Sequence, residues 1–323
     1  MSVRHASAAG GALLVLLLGC GGPLAPIEPL GPRGLASSSL VAENGIAVNG
    51  IAVNGIAVNG IAVNGLDAAG SLTNGLAPGT GSNGLAVNGL TQEALAAPEF
   101  ESWFATAPAY SASVMGYLVR CALGPDRTLA YSYGEASYAW TGNLAVAPIW
   151  ATGVPIGPAE QELVSACLAA HVNGLGQHVN ISVRGYLADG QPIPVTAEEE
   201  AGWTNREACF FGNLFDGTGV WNALDPDLLA PSISTPRGCA AEFGAARSCP
   251  PMVQAGTCAD VCTVGPDGVT WADCAVNGVH YRPLRVFLQD SDVYRCGDGL
   301  CQSITENEIT CAADCAPPPS TLE

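Results

Sequence analysis

The spacing of apolar residues predicts two helices in the central part of the chain. Over residues 111–122, apolar side chains recur at three- and four-residue intervals behind a serine N-cap. Residues 158–172 follow the same spacing, and Pro158 suits the first helical turn. Cys121 falls in the last turn of the first helix, and Cys167 lies on the apolar face of the second. The pattern therefore predicts that the two helices pack together and that a Cys121–Cys167 disulfide joins them.

Short stretches rich in Val, Tyr, Trp and Phe predict strands between and after the helices. They cover residues 128–133, 136–140, 144–150, 179–186, 209–215 and 278–289. Residues 235–275 instead combine Pro, Gly and Cys without a long apolar period, which is typical of an irregular region held by disulfides. Because helices and strands do not alternate regularly, we expect a disulfide-rich α+β fold with short strands and two helices.

A repeat with a period of five residues precedes this domain. Asn-Gly recurs at positions 44, 49, 54, 59 and 64, mostly followed by Ile-Ala-Val, and returns at Asn83 and Asn88. The repeat resembles the pentapeptide-repeat family, whose units form the sides of a square, right-handed β-helix. The alternative is a Gly-rich tether over residues 21–97 with a reach of roughly 50 Å. We expect a tether or a repeat ordered in part by docking on the domain; self-association of its uncharged segments is a third alternative.

The N-terminus carries an export signal. Arg4 precedes a short apolar run that ends in Leu17-Leu18-Gly19-Cys20 and is too short to span a bilayer. This segment resembles the lipobox of bacterial lipoproteins, which implies removal of residues 1–19 and a lipid on Cys20. We therefore expect the lipid to anchor the chain to a membrane that the chain does not span. Because glycines follow Cys20 in place of an acidic retention signal, we expect the outer membrane, with surface exposure as a hypothesis.

The chain is strongly acidic. It has 29 acidic residues against 11 basic ones, all of them arginine, and a net charge of −18. Such a surface repels phosphate backbones and anionic lipids, so we expect no nucleic-acid partner. The charge favours cations or basic partners, but the solubility of an exported protein is enough to account for it.

The cysteines predict a disulfide framework. Thirteen occur, and twelve remain once Cys20 is assigned to the lipid, an even number in a compartment that permits disulfides. They fall into three groups with even counts, which favours pairing within each group. The twelve candidates are Cys121, Cys167, Cys209, Cys239, Cys249, Cys258, Cys262, Cys274, Cys296, Cys301, Cys311 and Cys315.

The last cysteine group forms the most specific local motif. Cys-Gly-Asp-Gly-Leu-Cys at residues 296–301 precedes Glu306-Asn307 and Cys311-Ala-Ala-Asp-Cys315. The motif resembles a small module at the ends of secreted bacterial proteins, and four cysteines in so short a segment indicate two disulfides. Four of its side chains offer the oxygen ligands that Ca²⁺ prefers, namely Asp298, Glu306, Asn307 and Asp314. The alternative is a disulfide knot whose acids are solvated or cap turns.

No sequence motif predicts catalysis, and no catalytic residue is assigned. The chain contains no nucleophile elbow, zinc-protease helix or phosphate-binding glycine loop. Carboxylates cluster at residues 198–200, 225/227 and 290/292, but nothing singles one cluster out as an acid–base pair. Three histidines are weak metal-ligand candidates, namely His171, His178 and His280. His171 lies on the apolar helix face, which favours a hydrogen-bonded core residue.

Residues 162–173 and 207–213 resemble stretches in the ectodomains of cell-envelope lipoproteins that carry Asn-Gly-Leu repeats behind the lipid. All these features together predict a signal peptide 1–19, an anchor-proximal linker 20–43, a repeat linker 44–97, an α+β domain 98–230, its cysteine-rich continuation 231–290, and a tail module 291–323. We expect a non-catalytic binding, adhesion or structural ectodomain with a protein or polysaccharide ligand. The alternative is a tethered hydrolase that acts on an envelope or matrix polymer.

Overall fold

The computed structural model describes residues 56–58, 61–62, 76–77, 79, 82–173, 179–228, 230, 232–237, 252–303 and 305–316. The predicted signal peptide, the anchor-proximal linker, Cys20, His178, Cys239 and Cys249 lie outside these residues. The predictions made for them stay predictions.

The described residues form a disulfide-rich α+β fold. The strands are β1 Ile56–Val58, β2 Ile61–Ala62, β3 Thr128–Tyr133, β4 Ala136–Thr141, β5 Val172–Asn173, β6 Asn180–Gly185, β7 Trp203–Asn213, β8 Gly219–Leu224, β9 Ile233–Ser234, β10 Met252–Thr257, β11 Cys262–Val264, β12 Trp271–Val276, β13 Val279–Tyr281, β14 Leu284–Gln289 and β15 Tyr294–Arg295. The helices are α1 Leu85–Asn88, α2 Pro98–Thr106, α3 Pro108–Ala122, α4 Pro158–Ala170, α5 Ala197–Gly202, α6 Cys258–Val261 and α7 Ala312–Cys315.

A six-stranded sheet with the order β1-β6-β14-β7-β8-β10 lies at the centre. Its pairs are antiparallel except for β10, which runs parallel to β8. Both faces are buried, so neighbouring residues of one strand enter different cores. On β7, Phe210 belongs to the large core with the helices, whereas Cys209 and Phe211 belong to a second core under the disulfide-bonded sheet β11-β12-β13.

Helix α4 covers the first face of the central sheet, and α3 packs on α4. The predicted Cys121–Cys167 disulfide joins these two helices, with Cα atoms 5.9 Å apart. Both predicted helices are present, although α3 begins three residues before the predicted start because Pro108 occupies its first turn. The expectation of only two helices is wrong, because α2 and four shorter helices also form among the described residues.

Residues 144–150 do not form the predicted strand. Leu144, Val146, Ala147 and Trp150 are buried, whereas Ile149 is exposed. The amides of Leu144, Val146 and Ala147 donate to the carbonyls of Arg120, Cys121 and Ala122. These carbonyls lie in the last turn of α3, where helix geometry leaves them without intrahelical partners. The segment therefore caps the C-terminus of α3. It places apolar residues in the core as a strand would, so its sequence pattern is the same as that of a strand.

The predicted strand over 278–289 is divided into β13 and β14. Asn277 and Gly278 both have positive φ, 54° and 78°, and form the turn between β12 and β13. Pro283 then separates the strands, since a proline cannot donate to a central ladder.

The core begins before Pro98, because residues of the repeat region pack into it. Leu85, Leu90 and Leu95, five residues apart, are at most 1% exposed. Buried Asn83 accepts a hydrogen bond from the Leu85 amide at 3.0 Å, so the side chain meets part of its hydrogen-bonding need within its own turn. Farther upstream, β1 pairs with β6 and β2 with β5.

Disulfides within each cysteine group are confirmed for the described cysteines. Besides Cys121–Cys167, the pairs are Cys209–Cys258, Cys262–Cys274, Cys296–Cys311 and Cys301–Cys315. In the described part of the chain, no helix combines the length and apolarity that crossing a bilayer requires.

Candidate functional site

The β3–β4 hairpin separates an aromatic face from a polar face. Its residues Tyr131, Tyr133 and Tyr138 point to Phe104 of α2, with ring centroids 4.8, 5.5 and 5.3 Å from the Phe104 ring. This aromatic cluster fixes the hairpin on the helical layer and leaves the other face to solvent. Gly134, with φ of 59°, supplies the left-handed conformation that the two-residue turn needs.

The outer face of the hairpin is uncharged and matched across the two strands. It consists of directly opposed pairs of identical residues, all of them exposed. The pairs are Thr128 with Thr141, Ala130 with Ala139, and Ser132 with Ser137. The paired hydroxyls contact each other, at 3.0 Å for the threonines and 3.3 Å for the serines. Hydroxyls both donate and accept, so this face can bind a partner that is itself rich in hydroxyls or amides.

One edge of the hairpin is fixed by a side chain. The Gln92 amide donates to the Ala130 carbonyl at 2.7 Å and accepts from the Ala130 amide at 2.9 Å. Gln92 thus takes the place of a neighbouring strand. Beside it lies an open groove of about 300 Å³, where Tyr131 and Ser132 come to the surface next to Leu95.

The candidate calcium ligands of the tail module each bind backbone amides. Asp314 accepts from Gly297 at 2.6 Å and from Gly299 at 2.9 Å, which closes the Gly-Asp-Gly loop. The other three candidates accept backbone amides from residues close to them in the sequence. Asp298 accepts the amide of Leu300, Glu306 that of Gln302, and Asn307 those of Ile309 and Thr310. Among the described residues, the three carboxylates do not form a group with oxygens within 4.8 Å of one another. Calcium binding here stays a prediction.

Two buried ion pairs, Arg237–Glu207 and Arg285–Asp225, connect elements that are distant in the sequence. Arg237 donates to Glu207 at 2.7 Å and to the carbonyl of Ala170, the last residue of α4, at 2.6 Å. Both charged side chains are fully buried. Burial raises the pKa of Glu207 to about 7, against the attraction of Arg237. The second pair joins Asp225 to Arg285 of β14 through Nε at 2.8 Å.

The carboxylate clusters of the sequence are each occupied by structural partners. In the first cluster, buried Glu199 accepts from the Ser182 hydroxyl at 2.6 Å, and Arg184 donates to the same hydroxyl at 2.8 Å. Burial raises the pKa of Glu199 to about 7. Asp227 and Asp290 lie at the surface within 4.0 Å of arginine side chains. These contacts give Glu199, Asp227 and Asp290 a role in the fold.

His171 lies at the end of α4 and is fully buried. Its Nδ1 donates to the Cys167 carbonyl at 2.8 Å, beside the Cys121–Cys167 disulfide. Burial is the main reason that the pKa of His171 falls to about 3, so the ring is neutral in the fold. His280 lies elsewhere, exposed on β13 and 2.6 Å from Asp273.

Sequence reasoning missed the outer face of the hairpin, although a signal was present. The alternation in Thr128–Tyr133 and Ala136–Thr141 places every aromatic on one side and, apart from Ala136, every small residue on the other. The aromatic side dominates the sequence pattern because its residues pack into the core. The small residues on the other side have the composition of any solvent-exposed strand face.

Comparisons with known proteins do not assign this site. The chain matches no protein-family model, no curated protein and no solved structure.

Proposed function

We propose that the chain is a cell-envelope lipoprotein, anchored by a lipid on Cys20, whose folded part binds a neutral, hydroxyl-rich polymer without catalysing a reaction. The observation that carries the proposal is the outer face of the β3–β4 hairpin. Its three pairs of opposed residues offer four hydroxyls around two alanines and no charge.

The chemistry of this face favours an extended polysaccharide over a small ligand. All six residues of this face are exposed and enclose no pocket of their own, whereas small-molecule sites are normally concave. Threonine and serine hydroxyls can exchange hydrogen bonds with sugar hydroxyls, and the alanines between them let a flat chain approach. The groove beside Gln92 and Tyr131 extends the same surface.

The arrangement of the acidic residues supports a role without catalysis. A glycoside hydrolase needs two carboxyl groups that flank the scissile bond in a cleft. Here the buried acids Glu199, Glu207 and Asp225 are bound to serine or arginine side chains and serve the packing of the sheet. A binding protein therefore accounts for these residues better than a tethered hydrolase.

The export motif at residues 17–20 supports the anchoring part of the proposal. Labelling cells with a radioactive fatty acid tests it: we expect label in the wild-type chain and none in Cys20→Ala. Protease treatment of intact cells, with a periplasmic lipoprotein as control, then tests surface exposure. Loss of the ectodomain while the control survives supports exposure, and survival of both contradicts it.

A matched pair of arginine substitutions tests the binding face. Ala139→Arg puts a large charged side chain at the centre of the face, whereas Ala272→Arg adds the same side chain at an exposed position of β12. We expect the wild type and Ala272→Arg to bind insoluble neutral polysaccharide of the envelope or matrix, and Ala139→Arg to bind it about tenfold less, a loss of about 1.4 kcal/mol.

Two outcomes would overturn parts of this proposal. Equal binding by both variants would show that the hairpin face is not the site. Binding of the wild type to envelope proteins but to no neutral polysaccharide would show that the partner is a protein.

A further inference from the structure

Part of the repeat forms the outermost strand of the central sheet. Ile56–Val58 pairs antiparallel with β6, with Ile56 opposite Ser182, Ala57 opposite Ile181 and Val58 opposite Asn180. In the described part of the chain β1 has β6 as its neighbour on one side and ends the sheet on the other. The repeat thus adds a strand to an edge of the folded domain, the geometry by which domains bind extended peptides.

The next repeat unit pairs with a different strand in the opposite sense. Ile61–Ala62 runs parallel to β5, with Ile61 opposite Val172 and Ala62 opposite Asn173. The same residue types therefore pair with two edges, once antiparallel and once parallel. Main-chain hydrogen bonds are common to both arrangements, which indicates that the backbone carries most of this recognition.

The unit that pairs with β6 is one of four with the same sequence. Ile-Ala-Val followed by Asn-Gly occurs at residues 46–50, 51–55, 56–60 and 61–65. An acceptor edge cannot distinguish identical strands by their contacts, so the choice among them depends only on how the linking chain brings each one to the edge. The same reasoning holds for a unit of another molecule.

We propose that the β6 edge is a docking site for the repeat unit and that it accepts the repeat of a second copy of this chain. Exchange of an identical element between copies is a low-cost route to association, because the incoming element packs and hydrogen-bonds as the original one did. The four identical units at residues 46–65 contain no charge and no proline, two of the features that natural edge strands use to prevent such pairing. This inference is independent of the hairpin ligand.

Effective concentration sets the balance between the two arrangements. Covalent linkage presents a molecule's own unit to the edge at a local concentration on the order of 1 mM, so the intramolecular pair dominates in dilute solution. Docking from a second copy rises as the protein concentration approaches that value. Exchanged pairs should therefore increase in proportion to the concentration of the second copy.

Photo-crosslinking from the acceptor edge tests the proposal with full-length protein. Asn180 is exposed and lies opposite Val58, so a benzoylphenylalanine at position 180 captures whatever strand occupies the edge. This unlabelled protein is mixed with increasing amounts of a ¹⁵N-labelled wild-type copy and irradiated, and the captured peptides are identified by mass spectrometry. With the unlabelled protein held at a fixed low concentration, unlabelled repeat peptides report the intramolecular pair, and labelled ones report a second copy.

We expect labelled repeat peptides whose share rises with the concentration of the labelled copy. Captured repeat peptides that are unlabelled at every concentration would overturn exchange between copies. Captured peptides from outside the repeat would overturn the docking site itself.

Proline variants of the labelled copy provide the matched controls, because proline removes an amide that a ladder needs. Ala57→Pro alone should leave capture within about twofold, since an identical unit replaces the altered one. Proline at all four equivalent positions, Ala47, Ala52, Ala57 and Ala62, should reduce capture about tenfold or more. Strong loss with Ala57→Pro alone would show that one unit is specific and would contradict the proposal.

Discussion

Trp150 is hydrogen-bonded to Leu85, which precedes it by 65 residues. The indole Nε1 donates to the Leu85 carbonyl at 2.8 Å, and the Trp150 carbonyl accepts from the Leu90 amide at 3.0 Å. Trp150 itself is fully buried. The two bonds attach the last units of the repeat region to the α+β core, so this part of the repeat is a structural element of the domain.

Trp150→Phe should loosen this attachment. The substitution leaves the buried Leu85 carbonyl without its donor, which costs about 1–3 kcal/mol. We expect a lower free energy of unfolding and faster hydrogen exchange over residues 85–90. Trp140→Phe is the control, because it removes the same indole atoms from the hairpin. Equal exchange over residues 85–90 in the two variants would contradict the role of the hydrogen bond.

Gly89→Ala should be among the most damaging single substitutions in the chain. Gly89 has a φ of 82°, and a Cβ there would lie 2.3 Å from the Gly153 Cα. Positive φ alone costs a non-glycine residue about 1–3 kcal/mol, and the clash with backbone adds to it. Gly217→Ala is the matched control, with a φ of 78° and no atom within 4 Å of the added Cβ.

Chemical denaturation of the two glycine variants gives the comparison. We expect Gly217→Ala to lose only the cost of its backbone conformation and Gly89→Ala to lose several kcal/mol more, or to fail to fold. Similar losses would show that the chain around Gly153 can move aside.

The helices and one disulfide could be predicted because the information is local. The apolar period of α3 and α4 places Cys121 and Cys167 on facing surfaces, and the disulfide follows from that placement. The β3 strand likewise follows from its alternation. In each case the apolar residues that define the element also form its contact with the rest of the fold.

Other features depend on partners far away in the sequence and could not be predicted. The burial of Glu207 depends on Arg237, 30 residues later, which also caps α4. Glu160 is buried because its carboxylate accepts the amides of Ile149 and Trp150. A charged residue is normally expected to be exposed to solvent. Only the assembled fold shows the hydrogen-bond donors that make the burial of a carboxylate favourable.

Asp314→Asn should weaken the tail module. The carboxylate accepts amides from Gly297 and Gly299, and charge-assisted hydrogen bonds of this kind are stronger than neutral ones. The asparagine side chain has one acceptor oxygen, so one of the two exposed amides exchanges the carboxylate for water, at a cost of about 0.5–1.5 kcal/mol. Hydrogen exchange over residues 296–301 measures the effect.

A calcium chelator separates the two explanations of this acid. If the carboxylate acts by capping the loop, the difference between Asp314→Asn and the wild type should be the same with and without chelator. If calcium is bound, the chelator should bring the wild type down to the variant.

His171 should make the stability of the wild type sensitive to acid. Burial lowers its pKa to about 3 in the fold, whereas an unfolded histidine titrates near 6.5. Below about pH 6.5 the unfolded chain takes up a proton that the folded chain refuses, so the free energy of unfolding falls as the pH falls toward 3. The contribution of His171 to the free energy of unfolding is complete above about pH 6.5. Between about pH 6.5 and 3 it decreases by about 1.4 kcal/mol per pH unit.

Comparison with His171→Leu isolates this effect. The pKa values of Glu199 and Glu207 are raised, so their contributions change with pH in the opposite direction, but they are present in both proteins and cancel in the difference. We expect the wild type to lose about 2–3 kcal/mol relative to His171→Leu between pH 7.5 and 4.5, measured by denaturation without reductant. His171 is buried between the Cys121–Cys167 disulfide and the end of α4. If the stabilities of the two proteins change with pH in parallel, this burial does not prevent protonation, and His171 takes up its proton inside the fold.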